Sequence, residues 1–286
     1  MHRTVPPPDD LDQAIAATGE AELVIVDFDE TLFLRNSTEL FLDSARPATV
    51  AALLAGLVDF IKPWRLLPGY RDGFAMGDWL RVLAVACLLP WVVLRWRRIA
   101  PALARQWLNP ELVAVLAAGR SRRLVVASHG FAFIIAPLLR AMPFDAELVA
   151  NPLWLGFRGR ARGKAALLEA RFGRSAVAGA TVITDHAGHD ADLLAACARP
   201  VVRRWPQARY VRAFARTYVP LAYTEKAKHT THLHLLGVFF GKDWMALVVG
   251  CALLSPAPLL TAAGLAFLIV SFAIVYDVGY HENDLV

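Results

Sequence analysis

Four aliphatic residues, Leu23-Val-Ile-Val26, run directly into Asp27-Phe-Asp29 and then Glu30-Thr-Leu-Phe33. An apolar run of this length without alternation suits a strand covered on both faces, as in a parallel sheet. Asp27 and Asp29 then fall where that strand should end, and ligands of open α/β sheets bind at the carboxyl ends of strands. On a straight strand, acids at i and i+2 share a face; where the strand curls, both can point into one crevice. Like charges that close raise each other's pKa unless a cation such as Mg²⁺ neutralises one. The plainer alternative is a strand followed by an acidic turn.

Composition adds a membrane. Of the 286 residues 57% are apolar and the mean hydropathy is +0.43, which exceeds the usual soluble share of about half. The net charge of +5 and pI near 9.3 suit nucleic acid or anionic lipid. No Lys/Arg-aromatic recognition motif or zinc-finger spacing accompanies that charge, so lipid headgroups are the expected partner and nucleic acid is not. Cys87, Cys197 and Cys251 are odd in number and far apart, which predicts no disulfide framework and a reducing compartment. The first ten residues lack an apolar core, so no cleaved signal peptide is expected.

The pattern Asp27-Phe-Asp-Glu-Thr31 resembles the first motif of the haloacid dehalogenase superfamily, Asp-x-Asp-x-Thr. The resemblance implies that Asp27 is a nucleophile attacking phosphorus and Asp29 a general acid/base whose carbonyl helps hold Mg²⁺. It makes Thr31 a support of the turn. Glu30 stands where Gly is commoner in that family.

Three later stretches continue the resemblance in order. Leu124-Val-Val-Ala-Ser-His-Gly130 supplies Ser128 to bind a transferring phosphoryl group, and Gly130 lets backbone N–H groups approach an anion. His129 receives no role. Gly163-Lys164 precedes an amphipathic stretch; a cation at a helix N-terminus is at the unfavourable end unless an anion or an aspartate cluster receives it. The alternative is a solvated Lys164 in a basic run with Arg158, Arg160 and Arg162. Thr181-Val-Ile-Thr184 then leads to Asp185, expected as a direct Mg²⁺ ligand, and to Asp190, expected to act through water, with Asp192 in reserve. His186 and His189 are not assigned a transition metal.

Between the first and second motifs, about 36–118, an insert of helical and unusually apolar pattern matches a C1-type helical cap, in the layout of phosphoserine-phosphatase-like members. Within it Val82–Leu94 is uncharged, but Pro90 interrupts it. It reads as a core, re-entrant or interfacial helix rather than a full span, with Trp91, Trp96 and Arg95, Arg97 and Arg98 of the types that sit at a bilayer surface. Glu147–Asn151 and Leu153–Phe157 read as two short strands.

The expected organisation is a flexible lead over 1–20, a catalytic domain over 21–220 and a membrane-associated C-terminal region over 221–286. Trp244–Tyr276 holds 33 residues without a charge, broken at Ser255-Pro-Ala-Pro258. This predicts a transmembrane hairpin with arms at Leu235–Leu254 and Leu259–Tyr276. Lys226 and Lys228 before it favour a cytoplasmic catalytic domain. His229, His232 and His234 stay unassigned. A weaker likeness is to haloacid dehalogenase domains fused to prenyltransferase-like membrane domains, but the Asp-rich motifs of such a transferase are absent.

The expected fold is therefore α/β, a Rossmann-like parallel sheet with an inserted helical cap and a C-terminal transmembrane hairpin. The expected activity is Mg²⁺-dependent phosphomonoester hydrolysis through an aspartyl-phosphate, on a phosphorylated small molecule or lipid at the membrane. The alternatives are a phosphotransferase using the same intermediate and a non-catalytic membrane adaptor.

Overall fold

Strand β1, Leu23–Asp27, is buried along its aliphatic run because helices cover both faces of its sheet. Val24 and Val26 enter one core with Phe41, Val82, Trp96 and Ile134. Leu23 and Ile25 enter the other with Val125, Leu168, Val182 and Leu193. The structure is a computed structural model that describes residues 11–19, 22–69, 73, 76–118, 123–217 and 243–283. It divides into two compact units, Met1–Ala215 and Arg216–Val286.

In the first unit β1 is joined by β2 (Arg123–Phe131), β3 (Glu147–Asn151), β4 (Thr181–Thr184) and β5 (Arg199–Val202). All pairs are parallel and the order is β3-β2-β1-β4-β5. The chain first winds outward from β1 through β2 to β3, then crosses to β4 on the other side. That reversal opens a crevice at the carboxyl ends of β1, β2 and β4. The segment 153–157, expected as a further strand, instead turns into helix α8 (Gly156–Arg162). Pro152 lacks the N–H a continued ladder needs, and Trp79 Nε1 donates to the Leu153 carbonyl at 2.5 Å, which takes that acceptor.

The insert after β1 is helical throughout its described length. It holds α2 (Ser37–Asp43), α3 (Ala48–Ile61), a 3₁₀ turn at Pro63–Leu66, α4 (Gly77–Leu88), α5 (Trp91–Trp107) and α6 (Pro110–Ala118). Asn36 closes α2 by accepting the Glu39 amide at 3.1 Å. Glu39 is buried, and its carboxylate takes Arg81 Nη1 at 2.9 Å, Arg81 Nη2 at 3.0 Å and the Ala213 amide at 2.7 Å. Asp43, at the end of α2, accepts the Phe214 amide at 2.9 Å.

Helices α4 and α5 meet at Leu89-Pro90 with a bend of 108°. Val82, Val85, Ala86, Val92 and Trp96 lie on their inner side at helical spacing and are buried. Trp96, expected at a bilayer surface, instead donates Nε1–H to the Ile134 carbonyl of α7 (Ala132–Leu139) at 2.9 Å. Leu88, Trp91 and Leu94 are the large apolar side chains exposed at this elbow.

In the second unit, helices Asp243–Leu253 and Pro258–Asn283 pack on each other across a turn where Ser255 Oγ and Thr261 Oγ1 are 2.6 Å apart. Pro258–Gly279, 22 residues, is long and apolar enough to cross a membrane. The first arm of the expected hairpin is shorter. Its described helix of 11 residues reaches only about 16 Å, half a hydrocarbon core. Its remainder, 235–242, lies outside the described residues, as do Lys226, Lys228, His229, His232, His234 and residues 1–10 of the lead.

Candidate active site

After β1 the chain folds back on itself within a few residues. The Phe33 amide donates to the Phe28 carbonyl at 2.9 Å, and the Glu30 amide donates to the Phe33 carbonyl at 2.7 Å. Phe28 and Phe33 stack at 5.5 Å and are fully buried, which anchors the turn. Glu30 at its tip has φ +62°, a left-handed conformation that costs a residue with a Cβ about 1–2 kcal/mol. This turn directs Asp27, Asp29 and Glu30 into one crevice of about 410 Å³, shared with Ser128, Lys164 and Asp185. A second hollow of about 480 Å³ beside Leu139, Met142 and Leu148 contains none of these groups.

Asp29 is held from two sides. The Ser37 amide, in the first turn of α2, donates to Oδ1 at 2.6 Å, and Ser128 Oγ approaches Oδ2 at 3.4 Å. Ser128 Oγ in turn accepts the Gly130 amide at 2.9 Å. A Cβ on Gly130 would lie 2.9 Å from Ile135 Cδ1 and 3.1 Å from Ser128 Oγ, so the absence of a side chain there keeps this corner open.

Lys164 begins helix α9 (Lys164–Phe172) and is buried. Its Nζ donates to Asp27 Oδ1 at 2.5 Å and lies 2.7 Å from Asp190 Oδ1. Asp190 Oδ2 accepts Thr184 Oγ1–H at 2.6 Å, so the end of β4 fixes the carboxylate that fixes the lysine. The helix N-terminus that disfavours this cation is offset by Asp192, whose Oδ2 accepts the Ala165 amide at 3.0 Å. A Cβ on Gly163 would lie 2.3 Å from Asp192 Oδ2, and Gly163 has φ +86°, so only glycine fits that approach.

Asp185 and Thr31 hold each other. The Asp185 amide donates to Thr31 Oγ1 at 3.0 Å, and Thr31 Oγ1–H donates to Asp185 Oδ1 at 3.2 Å. The crevice thus joins, from 154 residues apart, the first and last of the four stretches.

Its electrostatics favour a cation. Five carboxylates line it, Asp27, Asp29, Glu30, Asp78 and Asp185, against the cations Arg160 and Lys164. Burial raises Asp27, Asp29, Glu30 and Asp185 above the ordinary carboxylate range. For Asp27, Lys164 opposes the burial and Asp190 and Asp29 add to it. Burial would lower Lys164, but Asp27 and Asp190 outweigh it and hold the ammonium charged. A phosphate dianion entering such a site needs added positive charge. Among the described residues no three His, Cys, Asp or Glu side chains form a ready metal cage. Mg²⁺ does not require one, since it binds through one or two carboxylates and keeps several waters. The donors here are hard oxygens, so the residues fit that ion.

Five residues outside the expected set adjoin the site. Arg160 is buried, donates Nε–H to the His129 carbonyl at 2.8 Å, pairs with Asp78 of α4 at 3.0 Å and lies over the Phe131 ring. It was hidden in a run of arginines that otherwise read as solvated. Asn151 Nδ2 donates to the same His129 carbonyl at 2.9 Å. Burial lowers the His129 imidazole to about 4, with the Lys164 charge adding to the effect, so it is neutral at physiological pH. His186 and His189 stack at 4.1 Å at the edge of the crevice.

A family model for haloacid dehalogenase-like hydrolases matches residues 24–196, which spans β1 through the helix after β4. The chain belongs to that family. No curated protein matches it. Membership in the haloacid dehalogenase-like hydrolases agrees with the strand order and with the strand-end position of the acids. It makes the chain a hydrolase of phosphatase type in general. The matched range ends before β5, although β5 and Trp205 are part of the same fold.

Proposed function

We propose that the chain is a Mg²⁺-dependent phosphomonoester hydrolase that works through an aspartyl-phosphate on Asp27, on a substrate at the membrane. The observation that carries this reading is the Lys164 ammonium set between Asp27 and Asp190, beside Asp29 and Asp185 in one crevice.

An Asp27 carboxylate oxygen attacks phosphorus, forming an acyl-phosphate bond as the ester P–O bond breaks. Asp29 gives its proton to the departing oxygen. Burial raises Asp29, which favours the protonated form that this step needs. Asp29, now a carboxylate, takes a proton from the water that attacks the aspartyl-phosphate, and release of inorganic phosphate restores Asp27. Lys164 and Ser128 hold the phosphoryl oxygens, and such positioning supplies most of what phosphoryl transfer requires. Asp27, Asp185 and the Asp29 main-chain carbonyl would hold Mg²⁺, which would supply positive charge against the phosphate. Thr31 orients Asp185, and Asp190 orients Lys164 rather than serving as a ligand. Lys226 and Lys228, which precede the apolar C-terminal stretch in sequence, favour a cytoplasmic catalytic domain.

The test is Mg²⁺-dependent phosphate release from a generic monoester by wild type and Asp27→Asn. Equal rates overturn the assignment. Transfer to added alcohols in place of release identifies a phosphotransferase, and failure to trap beryllofluoride identifies an adaptor.

A further inference from the structure

Helix α3 has an outward face that a water-facing helix does not have. Val50, Leu53, Leu57, Phe60 and Ile61 recur at helical spacing and are 42–66% exposed, while Ala51, Ala52 and Ala55 pack inward. The one charged residue among its 14, Asp59, is turned to Arg81 and Arg212 and neutralised there. The face continues into the 3₁₀ turn, where Leu66 is 86% exposed. It also continues at the other end. Trp91 Nε1 donates to the carbonyl of Arg46, two residues before α3, so exposed Leu88, Trp91 and Leu94 adjoin its start.

Positive charge surrounds this face. Lys62 and Arg65 follow α3 directly, and α5 contributes exposed Arg95, Arg97 and Arg98 without an acid along its length. Two such faces from two copies would repel, whereas anionic headgroups would be attracted. Exposed Trp and Phe beside Lys and Arg are the types found at headgroup level. The same chain carries a helix long and apolar enough to cross a bilayer.

We infer that the outer face of α3, with the α4–α5 elbow, is a membrane-seating surface of the cap that lies in an anionic lipid interface. This replaces the Val82–Leu94 core face as the lipid-contacting part of the cap, because that face is buried. The inference stands apart from the catalytic reading and requires no turnover.

The test uses the full chain with Cys87→Ser and Cys251→Ser in nanodiscs containing phosphatidylserine, carrying one fluorophore at Leu57→Cys or at Arg174→Cys. Leu57 is half exposed, so the label replaces no core contact. Arg174 is solvated, and its neighbour Val177 packs in the core on the other side of the sheet from Val82 and Trp96. The expected result is loss of fluorescence at position 57 with spin-labelled lipid and protection from aqueous iodide, with the reverse at 174. Lys62→Glu with Arg65→Glu should abolish the quenching by lipid. Iodide access at 57 without lipid quenching overturns the inference. Protection from both quenchers also overturns it, since it means that protein, a second copy or the C-terminal unit, covers the face.

Discussion

Thr31 and Asp185, 154 residues apart in sequence, exchange two hydrogen bonds at 3.0 and 3.2 Å across the floor of the crevice. Thr31 is fully buried, so neither bond is readily replaced by water. Thr31→Val keeps the shape and removes the hydroxyl. We expect Mg²⁺ affinity, read from the concentration dependence of activity, to fall about 10–100-fold, as for other residues that orient a metal ligand. Thr31→Ser should restore most of it.

Lys164→Met leaves Asp27 buried without its cation. Breaking such a pair costs about 3–5 kcal/mol, and loss of one phosphate-directed donor costs about 10²–10³ in kcat. Asp27 is already raised above its unfolded value, so stability linked to it is present at low pH and lost as pH rises through its folded pKa. Without Lys164 this loss should grow, and chemical denaturation should show a larger deficit at pH 8 than at pH 5.

Five of the residues that converge on the crevice were legible from the sequence because their cues are local. Asp27, Asp29 and Asp185 stand at or just past the ends of apolar strands, Ser128 follows the apolar run within β2, and Lys164 opens a helix where only an anion would welcome it. Arg160 gave no such cue. Its partners His129 and Asp78 are 31 and 82 residues away, and a buried arginine looks like its solvated neighbours until the chain is folded. The apolar helices of the insert were legible as helices, but not which side each one buries. Val82, Val85, Val92 and Trp96 face the core while the large apolar side chains of α3 face outward, although both stretches are nearly free of charge.

Glu30 illustrates a cue that was visible but incomplete. The family motif that Asp27–Thr31 resembles has glycine there more often, and the φ of +62° supplies the reason. Burial also raises Glu30, with Asp185 and Asp29 adding to the effect. Glu30→Gly should remove both penalties and stabilise the fold by about 1 kcal/mol, measured at pH 7.5 by denaturant midpoint. A lower midpoint would mean that the Glu30 side chain holds something that its neighbours do not reveal.

His129 has a folded value near 4, below the ordinary 6.5. The stability linked to it is complete above pH 6.5 and is lost as pH falls toward 4, because the unfolded chain takes up the proton first. The loss is on the order of 3 kcal/mol. His129→Gln should flatten the stability profile between pH 6.5 and 4 while leaving stability at pH 8 nearly unchanged.

Asp78→Asn removes the charge that α4 offers Arg160 and Arg81. Arg160 keeps its bond to the His129 carbonyl, so the site should persist. The expected change is a rise in KM of about 3–10-fold with kcat altered less, since the affected contact joins α4 of the cap to α8 rather than touching the acids.

The amides of Ala213 and Phe214, which satisfy Glu39 and Asp43 of the first cap helix, also set the minimum length of a portable enzyme. A fragment cut at residue 196, where the family match ends, would lack the strand that pairs with β4. It would also leave the buried Glu39 without two donors, the Ala213 amide and the Tyr210 hydroxyl. Gene fusions and expression fragments that carry this catalytic module must therefore continue to about residue 215, well past the last residue that performs chemistry.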